Sequence, residues 1–294
     1  MYEVNKMKDL EILKTEIQIG LPAPVRFLHI TDCHISLWDD CDKAEDPDKP
    51  GLAEARRREF DEGCEGQAEH LYLQALDYAK REGMPVVCTG DLVDFLSHAN
   101  FAYMDKTLAD VDYIYAAGNH DFCHFVGRAI EDYAYKWEKI KAAQPHVKQN
   151  LIFDSRVING VNFVTMDDSY YLFTDGQVEL LRAEAAKGYP ILLFLHVPLH
   201  TEKHYAYQRS LHDCGYLTAS PEEALATFSA NRRAQQTPDA ATLRAVDYIT
   251  NEPRIRAVIA GHTHNNWEEP LSSGKMQYIT AGTFQGYARE FIVC

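Results

Sequence analysis

Val86-Val87-Cys88-Thr89-Gly90-Asp91-Leu92-Val93-Asp94 is a short apolar run that ends in Gly-Asp, with a second carboxylate three residues on. The β-branched residues predict a buried strand and the glycine a turn. The two acids fall just past the strand's carboxyl end, where open α/β sheets carry their sites. Four other places repeat this grammar with metal-type side chains: Thr31-Asp32-Cys33-His34, Gly118-Asn119-His120-Asp121, Leu195-His196 and Gly261-His262-Thr263-His264. Each follows its own apolar run, at residues 25–31, 111–117, 191–195 and 255–260.

Between these runs the apolar spacing changes to a helical period. Ala68, Leu71, Ala75, Leu76 and Ala79 predict a helix from Gln67 that stops at Gly83. Residues 98–110, 122–144 and 177–187 read the same way, and Thr237-Pro238 predicts a helix start, with Thr as cap and Pro at the first helical position. Residues 151–153 and 156–158 read as short strands, and Asn159-Gly160 predicts a tight hairpin into residues 161–166. Residues 276–281 and 290–293 are the last expected strands. Helix and strand alternate early and hairpins dominate late, so parallel and antiparallel pairing are both expected. No linker, repeat or low-complexity tract divides the chain, so residues 1–294 are expected to form a single domain. The exception to regularity is an acidic insertion at about 38–66, with Asp39, Asp40, Asp42, Glu45, Asp46 and Asp48, then Arg56, Arg57 and Arg58. Pro47, Pro50 and Gly51 predict that it is irregular at first; it is either a solvated excursion or a flap shaping access beside Asp32 and His34.

The chain carries a formal charge of -15, with 46% hydrophobic and 25% charged residues, an ordinary balance for a globular protein. That charge argues against a nucleic-acid polymer as partner, because phosphate backbones call for a basic surface. It leaves room for a small phosphorylated substrate, since bound cations invert the local field. Residues 1–20 lack the apolar core of a signal peptide, and no run is long enough to span a bilayer. Seven cysteines without paired spacing suit a reducing compartment, so the expectation is a cytoplasmic protein with no membrane contact.

The candidate metal ligands are Asp32, His34, Asp91, Asn119, His196, His262 and His264, with Asp91 as the ligand shared by a two-metal centre. Taken alone, an Asp-x-His is more often a surface turn than a metal site; five such blocks in this order are a different matter. A buried carboxylate needs a partner, and donors of carboxylate, imidazole and amide oxygen without thiolate suit manganese, iron or zinc, with cobalt or nickel next. His200, His204 and His212 follow the His196 block and read as solvated loop histidines rather than substrate contacts.

Together, Asp-x-His, Gly-Asp-x-x-Asp, Gly-Asn-His-Asp, a lone His after an apolar strand and Gly-His-x-His resemble the calcineurin-like metallophosphoesterases, from Asp32 to His264. The resemblance implies a four-layer α/β/β/α sandwich of two mixed sheets flanked by helices. It implies that Asp32, His34 and His264 hold one metal, that Asn119, His196 and His262 hold the other, and that Asp91 bridges them. His120 matches the catalytic histidine and Asp94 the carboxylate that orients it, while Asp121 completes the motif in a structural role. The implied activity is hydrolysis of a small phosphate ester, a phosphodiester and among these a nucleotide, by a metal-bridging hydroxide, with His120 protonating the leaving group.

Phe95 stands where the family's Ser/Thr protein phosphatases carry a phosphate-holding Arg, which argues against that activity. The acidic charge argues against the family's nucleases. A phosphomonoesterase remains the alternative, and an inactive metal-binding scaffold is disfavoured by the complete ligand set. A serine hydrolase is excluded because no Gly-x-Ser-x-Gly elbow occurs.

Overall fold

A computed structural model describes residues 7–123 and 133–294. Its strands are β1 (Glu11–Ile17), β2 (Val25–Ile30), β3 (Val86–Cys88), β4 (Tyr113–Tyr115), β5 (Phe153–Ile158), β6 (Val161–Met166), β7 (Ile191–Phe194), β8 (Ile255–Ala260), β9 (Trp267–Pro270), β10 (Met276–Ile279) and β11 (Tyr287–Val293). The helices are α1 (Asp40–Glu45), α2 (Lys49–Phe60), α3 (Gln67–Glu82), α4 (His98–Leu108), α5 (Tyr133–Ala143), α6 (Asp175–Ala186), α7 (Glu202–Leu211), α8 (Glu222–Leu225), α9 (Ala230–Gln236) and α10 (Ala240–Asn251).

The strands form two mixed sheets, ordered β1-β11-β2-β3-β4 and β5-β6-β7-β8-β10-β9. β2, β3 and β4 run parallel, as do β6, β7, β8 and β10, so their carboxyl ends gather on one rim. Strand residues alternate between two buried environments, which is why the strands read as continuous apolar runs. On β2, Phe27 faces the other sheet while Leu28 and Ile30 meet helices; on β7, Leu192 and Phe194 face inward while Ile191 and Leu193 face out. The inter-sheet layer is aromatic: Phe27 meets Phe163 edge-on at 5.2 Å and stacks on Phe291 at 5.0 Å. α3, α4 and α5 cover the outer face of the first sheet, and α6 and α10 that of the second. The four-layer α/β/β/α sandwich is thus the fold.

Several local expectations change. The 38–66 segment is not irregular: Asp39 and Asp42 form a capping box that starts α1, and Pro50 sits in the first turn of α2, where its missing N–H costs nothing. The helix expected at Thr237-Pro238 starts at Ala240, because Asp239 accepts from the Thr242 N–H at 2.7 Å and is the cap. The two short strands near 151–158 are the single strand β5, and the Asn159-Gly160 turn joins it to β6 with both residues at positive φ, 48° and 85°. β1, α1, α2, α7, α8, α9 and β9 had no counterpart in the sequence reading. Of the helix expected over 122–144, residues 124–132 lie outside the described residues, and α5 covers the rest.

Candidate metal centre

All seven candidate ligands sit just past the carboxyl ends of parallel strands: Asp32 and His34 after β2, Asp91 after β3, Asn119 after β4, His196 after β7, and His262 and His264 after β8. Five of them occupy left-handed backbone, with φ of 50° at Asp32, 50° at His34, 52° at Asp91, 66° at His262 and 52° at His264. Side-chain-bearing residues avoid this region, and its concentration at one place marks a functional constraint. Glycines let these turns close on one another. A Cβ on Gly90 would collide with the Gly118 backbone, and one on Gly261 with the Thr31 and Asp32 side chains.

The ligand atoms converge in two groups. In one, Asp32, His34 and His264 each bring a donor atom within 4.8 Å of the others; Asp91, His196 and His262 do the same in the second. Asn119 joins the second group, its Oδ1 3.0 Å from His196 Nε2. Asp91 lies between the groups: its Oδ2 is 3.3 Å from His196 Nε2 and 3.9 Å from His34 Nε2. Asp91 Oδ1 is already used, accepting the His120 backbone N–H at 2.8 Å, so Oδ2 is the oxygen left to be shared.

The outward nitrogens fix the tautomers. His196 Nδ1 donates to the Thr89 carbonyl at 2.6 Å, and His34 Nδ1 to Asp94 Oδ1 at 3.0 Å. His262 Nε2 meets the Tyr171 hydroxyl at 3.1 Å. Once deprotonated, the inward nitrogens of His196 and His34 present lone pairs. Two acceptors only 3.0 Å apart, as in His196 Nε2 and Asn119 Oδ1, are favourable only with a proton or a cation between them. Asp32 Oδ1 is buried without a hydrogen-bond donor in the same group. Buried carboxylate, imidazole and amide donors in this arrangement fit divalent transition-metal ions.

Electrostatics agree. Burial pushes the Asp32 carboxyl upward, yet the His264 and His34 imidazoles hold it well below the usual carboxylate range. Burial lowers His196, but the Asp91 and Asp32 carboxylates outweigh it and carry the imidazole up to about 10. The pocket's negative potential thus retains a proton on a buried histidine, the same potential that favours cations.

Asp94 and His120 form a pair beside His34 of the first group. His120 Nδ1 lies 2.8 Å from Asp94 Oδ1 and 2.9 Å from the Asp94 carbonyl, which leaves Nε2 for the cleft. Burial works against charge on His120, but Asp91 and Asp94 carry its pKa up to about 10. Asp121 Oδ2 accepts from the Gly118 N–H at 2.8 Å and the Asp91 N–H at 3.1 Å, tying the β3 and β4 turns together. Phe95 is fully buried against Ala53 of α2, with Trp38 and Leu52 packed on it.

A cleft of about 460 Å³ opens over Asp91, Asn119, His120, His262 and His264. Its far wall includes Tyr171, Tyr207, Gln208, His212, Tyr216 and Arg232. Sequence reasoning placed no helix at α7, so only His212 of this wall was considered. Of its companions, His204 is buried within α7, and His200 is half-buried with Nδ1 3.1 Å from Ser220 Oγ. Also missed was Arg56 of α2, whose guanidinium grips Asp94.

The profile of the calcineurin-like phosphoesterases matches residues 25–266, most of the chain, and the chain belongs to that family. No curated protein matches it. Among solved structures, a dimetal phosphatase from Danio rerio is similar at 14% identity over 88% of each chain, with a TM-score of 0.48. A putative 5'-nucleotidase from Staphylococcus aureus shares 9% identity over 89% of this chain and 49% of its own, with a TM-score of 0.47. Phosphopantetheinyl hydrolase from Mycobacterium tuberculosis shares 12% identity over 90% and 92%, with a TM-score of 0.42.

Proposed function

We propose that this metallophosphoesterase is a dinuclear enzyme that hydrolyses a small phosphodiester. Asp32, His34 and His264 would hold one ion, Asn119, His196 and His262 the other, and Asp91 would join them through Oδ2. The observation that carries this reading is the convergence of lone-pair donors in two groups with Asp91 Oδ2 between them. When bound, such a metal pair polarises the phosphate and acidifies the attacking water. His120 holds a proton at Nε2 for the departing alkoxide, because Asp94 occupies Nδ1.

Preference for a diester over a monoester rests on charge. Among the described residues lining the cleft, Arg232 is the one Arg or Lys. A dianionic monoester gains most from several such cations, whereas a diester brings a single charge. The acidic chain argues against a nucleic-acid polymer as substrate. The seven cysteines show no paired spacing in the sequence, which supports a reducing cytoplasm as the compartment. No helix among the described residues is long and apolar enough to cross a membrane.

The test compares a phosphate monoester with a bis-ester bearing the same chromogenic leaving group, with manganese, iron, zinc, cobalt and nickel in turn. Faster hydrolysis of the bis-ester is expected. Faster hydrolysis of the monoester would make the chain a phosphomonoesterase, and inactivity with every metal would leave a binding scaffold.

A further inference from the structure

Arg56 belongs to none of the five motifs, yet among the described residues it is the one guanidinium in contact with the pair that would move the proton. It comes from α2, in the acidic segment between the first and second motifs. Its Nε donates to Asp94 Oδ2 at 2.7 Å and its Nη2 to Asp94 Oδ1 at 3.1 Å, a two-point grip on a carboxylate whose side chain is 0% exposed. Asp94 Oδ1 in turn faces both His34 Nδ1, at 3.0 Å, and His120 Nδ1, at 2.8 Å. The fork itself is fixed: Nη1 donates to Glu59 Oε2 at 2.6 Å, and the guanidinium lies over the Phe60 ring, 4.7 Å from its centroid. Phe60 stacks on the His34 imidazole at 3.9 Å with the planes 2° apart.

We propose that Arg56 is a positioning residue, whose bidentate grip sets the rotation of the Asp94 carboxylate and thereby aims His120 Nε2 at the leaving group. This rests on the phosphodiesterase reading above. A carboxylate between two imidazoles can turn about its Cβ–Cγ bond, and a planar two-point partner removes that freedom where a point charge does not. Simple charge neutralisation would be served by any cation, so the lysine variant separates the two roles.

Arg56→Lys and Arg56→Met are compared with the wild-type holoenzyme on a p-nitrophenyl and an alkyl phosphodiester. The p-nitrophenolate departs without help, whereas the alkoxide needs a proton. The expected result is that both variants lose about tenfold more on the alkyl ester than on the p-nitrophenyl ester, a part of a general acid's contribution. Metal content by mass spectrometry stays at the wild-type value, and the protected His120 Nδ1–H proton resonance of the wild type broadens or disappears. Equal losses on both esters, full activity of Arg56→Lys, or loss of metal would overturn the proposal. If the wild type cleaved neither ester, the phosphodiesterase reading would fall, and the imidazole resonance would still decide whether Arg56 holds the pair.

Discussion

Asp91 divides its two oxygens between the backbone and the imidazoles of the candidate metal centre, and His120 divides its two nitrogens between Asp94 and the cleft. Their substitutions should therefore separate. His120→Asn is expected to lower turnover by about 10²–10⁴ while the protein keeps its metal, if the proposed role of His120 as proton donor rather than ligand holds. Asp91→Asn is expected to do the reverse and weaken both metal groups, since one oxygen serves both. Metal analysis beside a rate measurement checks this. A His120→Asn protein stripped of metal, or a fully loaded Asp91→Asn protein, would reverse the assignment. The convergence of the candidate ligands was legible in the sequence because they are few, polar, and placed directly after apolar strands. Arg56 was not, because its partner Asp94 is 38 residues away and nothing local to an Arg triplet shows which member is turned inward.

At the scale of elements, α2 decides how well one edge of the site is braced. Phe60 is 4% exposed, stacked on His34, and meets Phe284 edge-on at 4.9 Å. Phe60→Ala is expected to cost about 3–5 kcal/mol in a urea melt, as large-to-small core changes do. It should also loosen metal at Asp32, His34 and His264 before metal at the other group. Equal loss from the two groups would show that the stacked ring braces neither in particular. The strands that carry ligands were readable because burial on both faces leaves a continuous Val, Ile and Leu signature. α1 and α2 were not, because Asp, Pro and Gly are turn formers, and here Asp39 and Pro50 act at helix starts instead. α7 was hidden likewise: Glu202–Leu211 contains three aromatic or imidazole side chains and no clean apolar stripe, and Thr201 caps it.

For the whole molecule, the layer between the two sheets carries a titratable group. His29 on β2 is buried there, with Nδ1 2.8 Å from Thr280 Oγ1 and Nε2 2.8 Å from Thr89 Oγ1. Burial first, and Arg289 second, push its pKa down to about 3. An unfolded chain takes up this proton below its ordinary value near 6.5, whereas the native state does not until about pH 3. The stabilisation present above pH 6.5 is therefore lost as pH falls, by on the order of 1 kcal/mol per pH unit across that window. His29→Gln removes the titration, so its stability should fall less steeply than the wild type's between pH 6 and 4 in denaturant melts. Parallel curves would assign the acid sensitivity to other groups. The pairing of the sheets across this layer could not be read from the chain, since which apolar face meets which is set by contacts between segments far apart in sequence.

The left-handed turns at Asp32, His34, Asp91, His262 and His264 also govern how the site can be interrogated. Asparagine tolerates that backbone better than most residues, whereas alanine does not, at a cost of roughly 1–2 kcal/mol per position. An alanine scan would mix the price of a reshaped turn with the loss of a donor atom. Asparagine replacements keep the turn and exchange the original donor for an amide oxygen, which makes this rim a place where the choice of substituent determines what a mutation measures.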